Sequence, residues 1–590
     1  MGSWSARRCL WVACLSAAGA AWCAAAEMAV TLEPSVSSPA PVGTVVTWWA
    51  GVADSGAAKL WYRYRARRIG SDFQLIRDYG PESALDWTAS DREGRYEVEA
   101  SVRNLDTGET GVTSAVYEMV SRASGNTPVI SPTGHPLVFL YSAPPCPAES
   151  RMRVQFQSPE GLVQYTPYKP CRPGLSMNFY LAGMRPRASY SVKHTVDTGF
   201  QFVAGPELSL TTSDATPPAG TYTLVQPPRQ PVVNGVLLQG VLAGGAVATD
   251  LDGTLLWSYS GGISTFTRAE PGGFFFGIGE DSTTDPSHQF VREFDLAGLT
   301  VQETNAARVS EQLVAMGMRP ITAFHHEARR LPHGKMLVLA ATEQIMTGVQ
   351  GPGDVDVLGD MVLVLDRNLN VVWAWDAFDH LDPTRLAVLK ETCTPTGGGC
   401  PPFYLASQAN DWLHGNSAQL TPDGNILYSS RHQDWLIKID YSNGEGSGHV
   451  LWRLGKGGDF QISSSDPWPW FSHQHDAQFD LEDPSVLRLF DNGNTRYAAD
   501  NTAHSRGQAL RVDEGNRVVK FILNADLGAY SYALGTAQAL SNGDYHFNLG
   551  ILPDRTSESV EVDSSGNIVY AVKIGTPEYR SFRMRDLYTP

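Results

Sequence analysis

The sequence predicts an all-β chain: a six-bladed β-propeller preceded by N-terminal β-sandwich modules of the immunoglobulin or fibronectin kind. Three observations predict it. A hairpin signature recurs six times, each copy an apolar strand ending in Asp, a polar turn and a second apolar strand. Its Asp residues are Asp250, Asp295, Asp366, Asp440, Asp513 and Asp563, spaced 45, 71, 74, 73 and 50 residues apart. Period-2 strands at a long, regular spacing are the sequence mark of a propeller. A second repeat sets a lead residue eight positions before a turn glycine, in His326 to Gly334, Asn416 to Gly424 and Gly535 to Gly543, with His475 in a related copy whose turn is Asp483-Pro484. Finally, residues 27–215 carry strands that share neither repeat.

In chain order, residues 1–26 read as a signal peptide. Arg7-Arg8 precede an apolar stretch from Leu10 to Ala21, and Ala24-Ala25-Ala26 offers a small-residue cleavage site. The stretch is too short to span a bilayer, and no other segment does so. The expected destination is periplasmic or extracellular. Cleavage removes Cys9, Cys14 and Cys23 and leaves Cys146, Cys171, Cys393 and Cys400. Four cysteines allow three pairings, and proximity favours Cys146–Cys171 with Cys393–Cys400. With no CxxC motif, these read as structural bonds of an oxidising compartment.

Residues 27–125 form the first expected sandwich, with strands around Trp48-Trp49, Leu60–Tyr64 and Gly94–Ala100. Residues 126–215 form the second. Its phrase Leu181-Ala-Gly-Met-Arg-Pro186 leading to Tyr190 has the form of a fibronectin-type tyrosine corner. The expected role of both is packing, presentation or a homodimer contact. A Pro/Thr-rich linker, 214–220, leads to the propeller at 220–590. Gly 56, Pro 37 and Trp 15 with only 18% charged residues suit a turn-rich β protein. The net charge of −17 is spread along the chain and speaks against nucleic acid or an anionic membrane as partner.

The lead positions carry the chemistry. His326, Asn416 and His475 fall at one repeat position, so on a ring they converge. His414 precedes Asn416 by two residues and shares its face if the segment is extended. Arg431 follows the next strand, at the expected mouth. Two histidines, an amide, an arginine and a candidate nucleophile suit a tetrahedral oxyanion better than a metal, because Arg431 repels a cation and forks onto anionic oxygens. Zinc ligation by His326, His414, His473 and His475 is the competing reading, and structural histidines the bland one. Phe324, Trp412, Trp435, Trp468, Trp470 and Phe471 are candidate aromatic walls for a ring-bearing substrate.

The motifs Phe324-His325-His326-Glu327, Asp411-Trp-Leu-His414-Gly-Asn416-Ser, Ser429-Ser-Arg431-His-Gln, Gln474-His475 and Phe490-Asp-Asn-Gly-Asn494 with Ser505-Arg506 beyond, in this order, resemble the bacterial arylsulfate sulfotransferase family over about 220–590. The resemblance implies transfer of a sulfo group from a phenolic (aryl) sulfate to a phenol by a ping-pong route through a covalent sulfohistidine. It implies small-molecule partners, no cofactor, no nucleotide sulfate donor and no metal. It places the carrier on His475, with His326, His414 and Arg431 beside it and Asn416, Ser505 and Arg506 on the substrate side. His473 stands two residues away as a rival carrier. An aryl sulfate hydrolase using the same anion pocket and a non-catalytic ligand-binding propeller are the alternatives.

Overall fold

The computed structural model describes residues 28–590 apart from 54–57, 217–219, 243, 280–284, 395–396 and 398. The expected signal peptide lies outside the described residues. The described chain is all-β, and no helix among the described residues is long and apolar enough to cross a membrane.

Strands of the first N-terminal unit alternate between core and solvent, as the period-2 pattern requires. Trp48 is fully buried while its neighbour Trp49 is about half exposed. Trp48, Tyr64, Val98, Val102 and Tyr117 fill the space between the sheet of Val30–Pro34, Val46–Val52 and Ala84–Trp87 and the sheet containing Leu60–Arg68, Gly94–Asn104 and Thr110–Val120. The unit is not free of the rest of the chain. Arg77 pairs in register with Glu303 and makes a 2.9 Å ion pair with it. Asn305, which caps the helix Ala306–Ala315, donates through Nδ2 to Tyr79 O at 2.8 Å.

A second pair of sheets spans Val129–Pro132 to Leu208–Thr211 around Tyr141, Phe156, Phe179 and Val192. Arg185 N donates to Tyr190 Oη at 2.9 Å, five residues upstream of that tyrosine, which is the corner read in the sequence. Cys146–Cys171 closes here, and Cys393–Cys400 closes the other short loop, with Cα–Cα distances of 5.5 and 5.8 Å.

Among the described residues the remainder forms six four-stranded antiparallel units, two of them separate sheets and four extended by further strands. The second to sixth run consecutively through residues 265–305, 323–376, 415–455, 475–526 and 536–574. The first takes three strands from 236–259 and its fourth, Glu578–Met584, from far along the chain. Tyr222–Gln226 in turn adds to the sixth sheet beside Ile568–Ile574. The first strands, Thr265–Glu270, Ala323–Arg330, Gly415–Leu420, His475–Phe479 and Thr536–Ala539, each lie against the next, and Glu578–Met584 lies against both Thr536–Ala539 and Thr265–Glu270.

All six repeat aspartates end the third strand of a sheet and organise the turn to the fourth. Asp250, Asp295, Asp366 and Asp563 each accept two turn N–H groups on Oδ1, and Asp440 and Asp513 accept turn N–H groups from Ser447 and Asn516. A short acceptor side chain that bonds its own backbone two to four residues on is why Asp, and not Glu, recurs there.

Candidate functional site

His326, Asn416, His475 and Gly535 each stand four residues before the last paired residue of a first strand: Arg330, Leu420, Phe479 and Ala539. In the first three of these strands the pairing register shifts at or next to the lead residue, a bulge that re-aims side chains. Gly535 has a packing cause: a Cβ there would lie 2.4 Å from the Phe490 ring. Positive φ is concentrated here, at His326 (60°), His414 (49°), Asp434 (54°), His473 (53°), Asp476 (50°) and Leu534 (65°). Left-handed backbone at a non-glycine residue costs of order 1–3 kcal/mol and persists where surrounding structure imposes it. His414 is therefore not on an extended segment, and its place beside the lead residues comes from this kink rather than from strand alternation.

His475 is buried and its tautomer is fixed by its neighbours. Asn492 donates through Nδ2 to Ser531 O (2.8 Å) and Leu534 O (3.1 Å), so its Oδ1 faces His475 Nδ1 at 2.7 Å. Nδ1 must then carry the proton, and Nε2 keeps its lone pair, which accepts a 3.2 Å bond from Leu534 N. Burial, then the Arg431 charge, holds this imidazole well below the usual histidine pKa. His475 is a neutral base with one available pair.

His473 is its opposite. Nδ1 lies 2.9 Å from Asp434 Oδ1 and Nε2 lies 2.5 Å from Glu391 Oε1. Burial alone would lower its pKa, but the two carboxylates outweigh burial and raise it. Both nitrogens are committed to acceptors, so His473 has no pair to offer an electrophile.

The other predicted side chains assemble unevenly around His475. The His326 and His414 rings meet edge to face at 4.9 Å, and His414 stacks on His432 at 4.7 Å. His414 Nδ1 lies 2.7 Å from Asp411 Oδ2. His326 is held neutral, first by burial and then by the charges of His414 and His325. Asn416 is fully buried; Nδ2 donates to Gln474 O at 2.6 Å, and Oδ1 meets no protein donor among the described residues. Arg431 is half-buried, donates through Nη1 to His432 Nε2 and through Nη2 to Tyr532 O at 3.0 Å, and leaves Nε without a protein acceptor among the described residues. Ser505 adjoins the cluster through Asn492. Its hydroxyl donates to Asn492 O (2.9 Å) and accepts from Ser531 N (2.9 Å), so it braces the residue that orients His475. Arg506 is tied to Asp466 at 2.7 Å.

Beneath the cluster runs a buried charge network. Glu327 pairs with Arg268 (2.8 Å) and Arg580 (3.2 Å), and Asp476 with Arg268. Burial would raise Glu327, but the two guanidiniums hold it at about 2. Arg580 also donates to Asn416 O at 2.7 Å, and Tyr579 Oη donates to His326 O at 2.7 Å. Sequence reasoning missed Tyr579 and Arg580, which stand far along the chain from the histidine motifs they serve, and it gave no role to Asn492, Asp360 or Asp411, although Asp411 shares a motif with His414.

Among the described residues three sets of side chains have metal-ligand proximity: Glu391/His432/His473, Asp411/His414/His432 and Cys393/Cys400/Asp411. The cysteines of the third are joined in a disulfide, and the first two need His432, whose Nε2 accepts from Arg431 and whose Nδ1 donates to Asp411 O at 2.7 Å. The donor atoms are spent on hydrogen bonds, and a guanidinium adjoins them, so the set suits an anion. The aromatic expectation needs correction for four residues: Phe324, Trp412, Trp435 and Phe471 are buried in hydrophobic cores between sheets, while Trp468 is exposed. A coplanar pair the sequence did not suggest, Tyr497 and Tyr530, stacks at 3.6 Å. Tyr530 feels the Arg431 charge. A cavity of about 940 Å³ lies elsewhere, between the second N-terminal unit and the first sheet, lined by Tyr165, Tyr168, Asn234 and Arg585 among others.

No curated protein matches the chain. Among solved structures it is similar to the crystal structure of chicken CNTN1 FN1-FN3 domains, with 11% identity, 54% of this chain and 98% of that chain covered, and a TM-score of 0.13, too low to support any argument. The arylsulfotransferase (ASST) family matches residues 210–581, which is more than half of the chain and contains all six sheets' motifs. With that match over a neutral, oriented histidine in an anion-suited cluster, the chain belongs to the arylsulfotransferase family, a family of sulfotransferases.

Proposed function

We propose that this chain transfers a sulfo group from an aryl sulfate ester to a phenol by a ping-pong route, with His475 as covalent carrier. The observation that carries the reading is the fixed tautomer of His475, a neutral imidazole whose free pair is on Nε2. In the first half-reaction that pair attacks sulfur, the S–O bond to the phenol breaks, and an N–S bond forms. Leu534 N–H, until then bonded to the pair, is released beside the new sulfo group and becomes a donor to its oxygens. Arg431 neutralises and orients the other oxygens, and Asn416 orients them through its second Nδ2 hydrogen; fixed donors of this kind do most to lower the barrier where a reaction spreads charge over oxygen. His326 and His414 handle the phenolic proton. A second phenol then takes the sulfo group.

In this reading the six sheets are the blades of a closed six-bladed propeller. The contact sequence of first strands supports this, as does the strand Glu578–Met584, which shares a sheet with Val236–Val241. Residues 27–125 and 126–215 are the two sandwich domains and 220–590 the catalytic domain. Export to a periplasm or the medium is supported by the leader-like sequence and two disulfides.

The test is phenol release from a chromogenic aryl sulfate, with and without an acceptor phenol, on the wild type and on His475→Ala. Acceptor-dependent release, absent in the variant, with sulfate trapped on a His475 peptide, is expected. Release into water alone would replace the reading with a hydrolase. No release with any phenol would replace it with a binding propeller.

A further inference from the structure

His325 and Asp360, both buried, stand in line behind His326. Asp360 is buried, and its Oδ2 accepts from Gly415 N at 2.6 Å and Tyr428 Oη at 2.5 Å. The approach is so close that a Cβ on residue 415 would lie 2.7 Å from that oxygen, which is why glycine stands there. With Oδ2 taken by two donors, Oδ1 faces His325 Nε2 at 3.1 Å. The far nitrogen of the same ring, His325 Nδ1, lies 2.9 Å from His326 Nδ1. An anionic acceptor at one end dictates the protons along the line. His325 carries its proton on Nε2, toward Asp360. Its Nδ1 is then an acceptor, and His326 must carry its own proton on Nδ1. The pair left over on His326 is on Nε2.

We propose that Asp360 and His325 are positioning residues that fix His326 as the base for the acceptor phenol. The inference rests on the sulfotransfer reading above. In the second half-reaction the phenol O–H bond breaks and its proton forms an N–H bond at His326 Nε2. The phenolic oxygen's pair attacks sulfur, and the N–S bond breaks with its pair returning to His475. Burial opposes the new imidazolium, and the line offsets part of that cost: its Nδ1 proton is shared toward His325, whose own Nε2 proton leans on the Asp360 carboxylate. His414 has a one-step version of this support from Asp411, whereas His326 has an imidazole between itself and the carboxylate.

The experiment compares wild type, Asp360→Asn and His325→Gln with two acceptors: phenol, and 4-cyanophenol at a mildly alkaline pH where it is already ionised and needs no base. The donor is 4-nitrophenyl sulfate throughout. Expected is a loss of about 100-fold with phenol, the low end of what a general base supplies, and less than about 5-fold with the ionised acceptor. Equal losses with both would overturn the proposal. Tyr428→Phe removes another bond to Asp360 without touching the line, and should keep the wild-type ratio between acceptors. A readout independent of turnover is the ¹⁵N NMR spectrum of histidine-labelled protein. The wild type should show His326 protonated on Nδ1, and Asp360→Asn, whose amide would present N–H₂ to His325, should move that proton to Nε2. A wild-type His326 protonated on Nε2 would overturn the proposal. A wild type silent on every aryl sulfate would sink the sulfotransfer reading, and the NMR result would still decide the tautomer.

Discussion

Asn492 Oδ1 lies 2.7 Å from His475 Nδ1 while the amide nitrogen of Asn492 is bonded to Ser531 O and Leu534 O, so a side chain from one strand end sets the tautomer of a histidine on the neighbouring strand. Asn492→Ala removes the acceptor that holds the Nδ1 proton and leaves two buried carbonyls short of a donor. The expected outcome is a 10- to 100-fold fall in kcat/KM, about 1.4–2.7 kcal/mol of barrier. Steady-state kinetics beside a thermal melt would check it; a fall in melting temperature without a change in kcat/KM counts against the role.

The histidines predict a stability profile with two sides. His432 and His475 are buried and His326 partly so, all three with folded pKa values below that of the unfolded chain, about 6.5. Their contribution is present above that value and is lost as pH falls. His473 has a raised pKa, so its contribution is full below about 6.5 and is lost as pH rises through its folded value. His473→Gln should flatten the alkaline limb of a melting temperature against pH curve and leave the acid limb in place.

The Cys393–Cys400 loop sits between Glu391, which holds His473, and Asp411, which holds His414. Opening a loop this short costs about 2 kcal/mol in the chain-entropy account. Cys400→Ser should lower both stability and kcat/KM. Cys171→Ser, in the second N-terminal unit, should lower stability and leave kcat/KM within about twofold. Parallel melts and kinetics of the two variants separate the cases.

Arg580 is fully buried between Glu327 and Asn416 O. Arg580→Met leaves Glu327 with Arg268 alone and the Asn416 carbonyl with only a 3.4 Å bond from Tyr579 Oη. Removing one member of a buried ion network costs about 3–5 kcal/mol, which urea unfolding of the variant would measure.

Much of this was legible in the sequence because it repeats. The hairpin aspartates mark every third-to-fourth strand turn, and the lead residues keep their count to the strand end even where the pairing slips. The fate of each lead side chain was not legible. Whether a histidine is a base or a cation depends on carboxylates and amides brought from other sheets and loops: Asn492 to His475, but Glu391 and Asp434 to His473, only two residues away. The aromatic walls failed for a related reason. Phe324, Trp412, Trp435 and Phe471 adjoin the motifs in sequence, but each packs into a core between sheets, Phe324 and Trp435 from strands and Trp412 and Phe471 from the segments leading into them. Tyr579 and Arg580 gave no local signal, since their partners lie more than 160 residues earlier.

The strand Glu578–Met584 bears on how the protein is made. It pairs with Val236–Val241 across more than 300 residues of chain, and it carries Tyr579 and Arg580 to the backbone of His326 and Asn416. Contacts of such sequence separation form late, because the loop they close must be ordered first. During synthesis, the earlier sheets can assemble while the histidine cluster still lacks its floor. Catalytic competence would then arrive as the final folding event, and a ribosome-bound chain, however much β structure it had gained, would be silent toward sulfate esters.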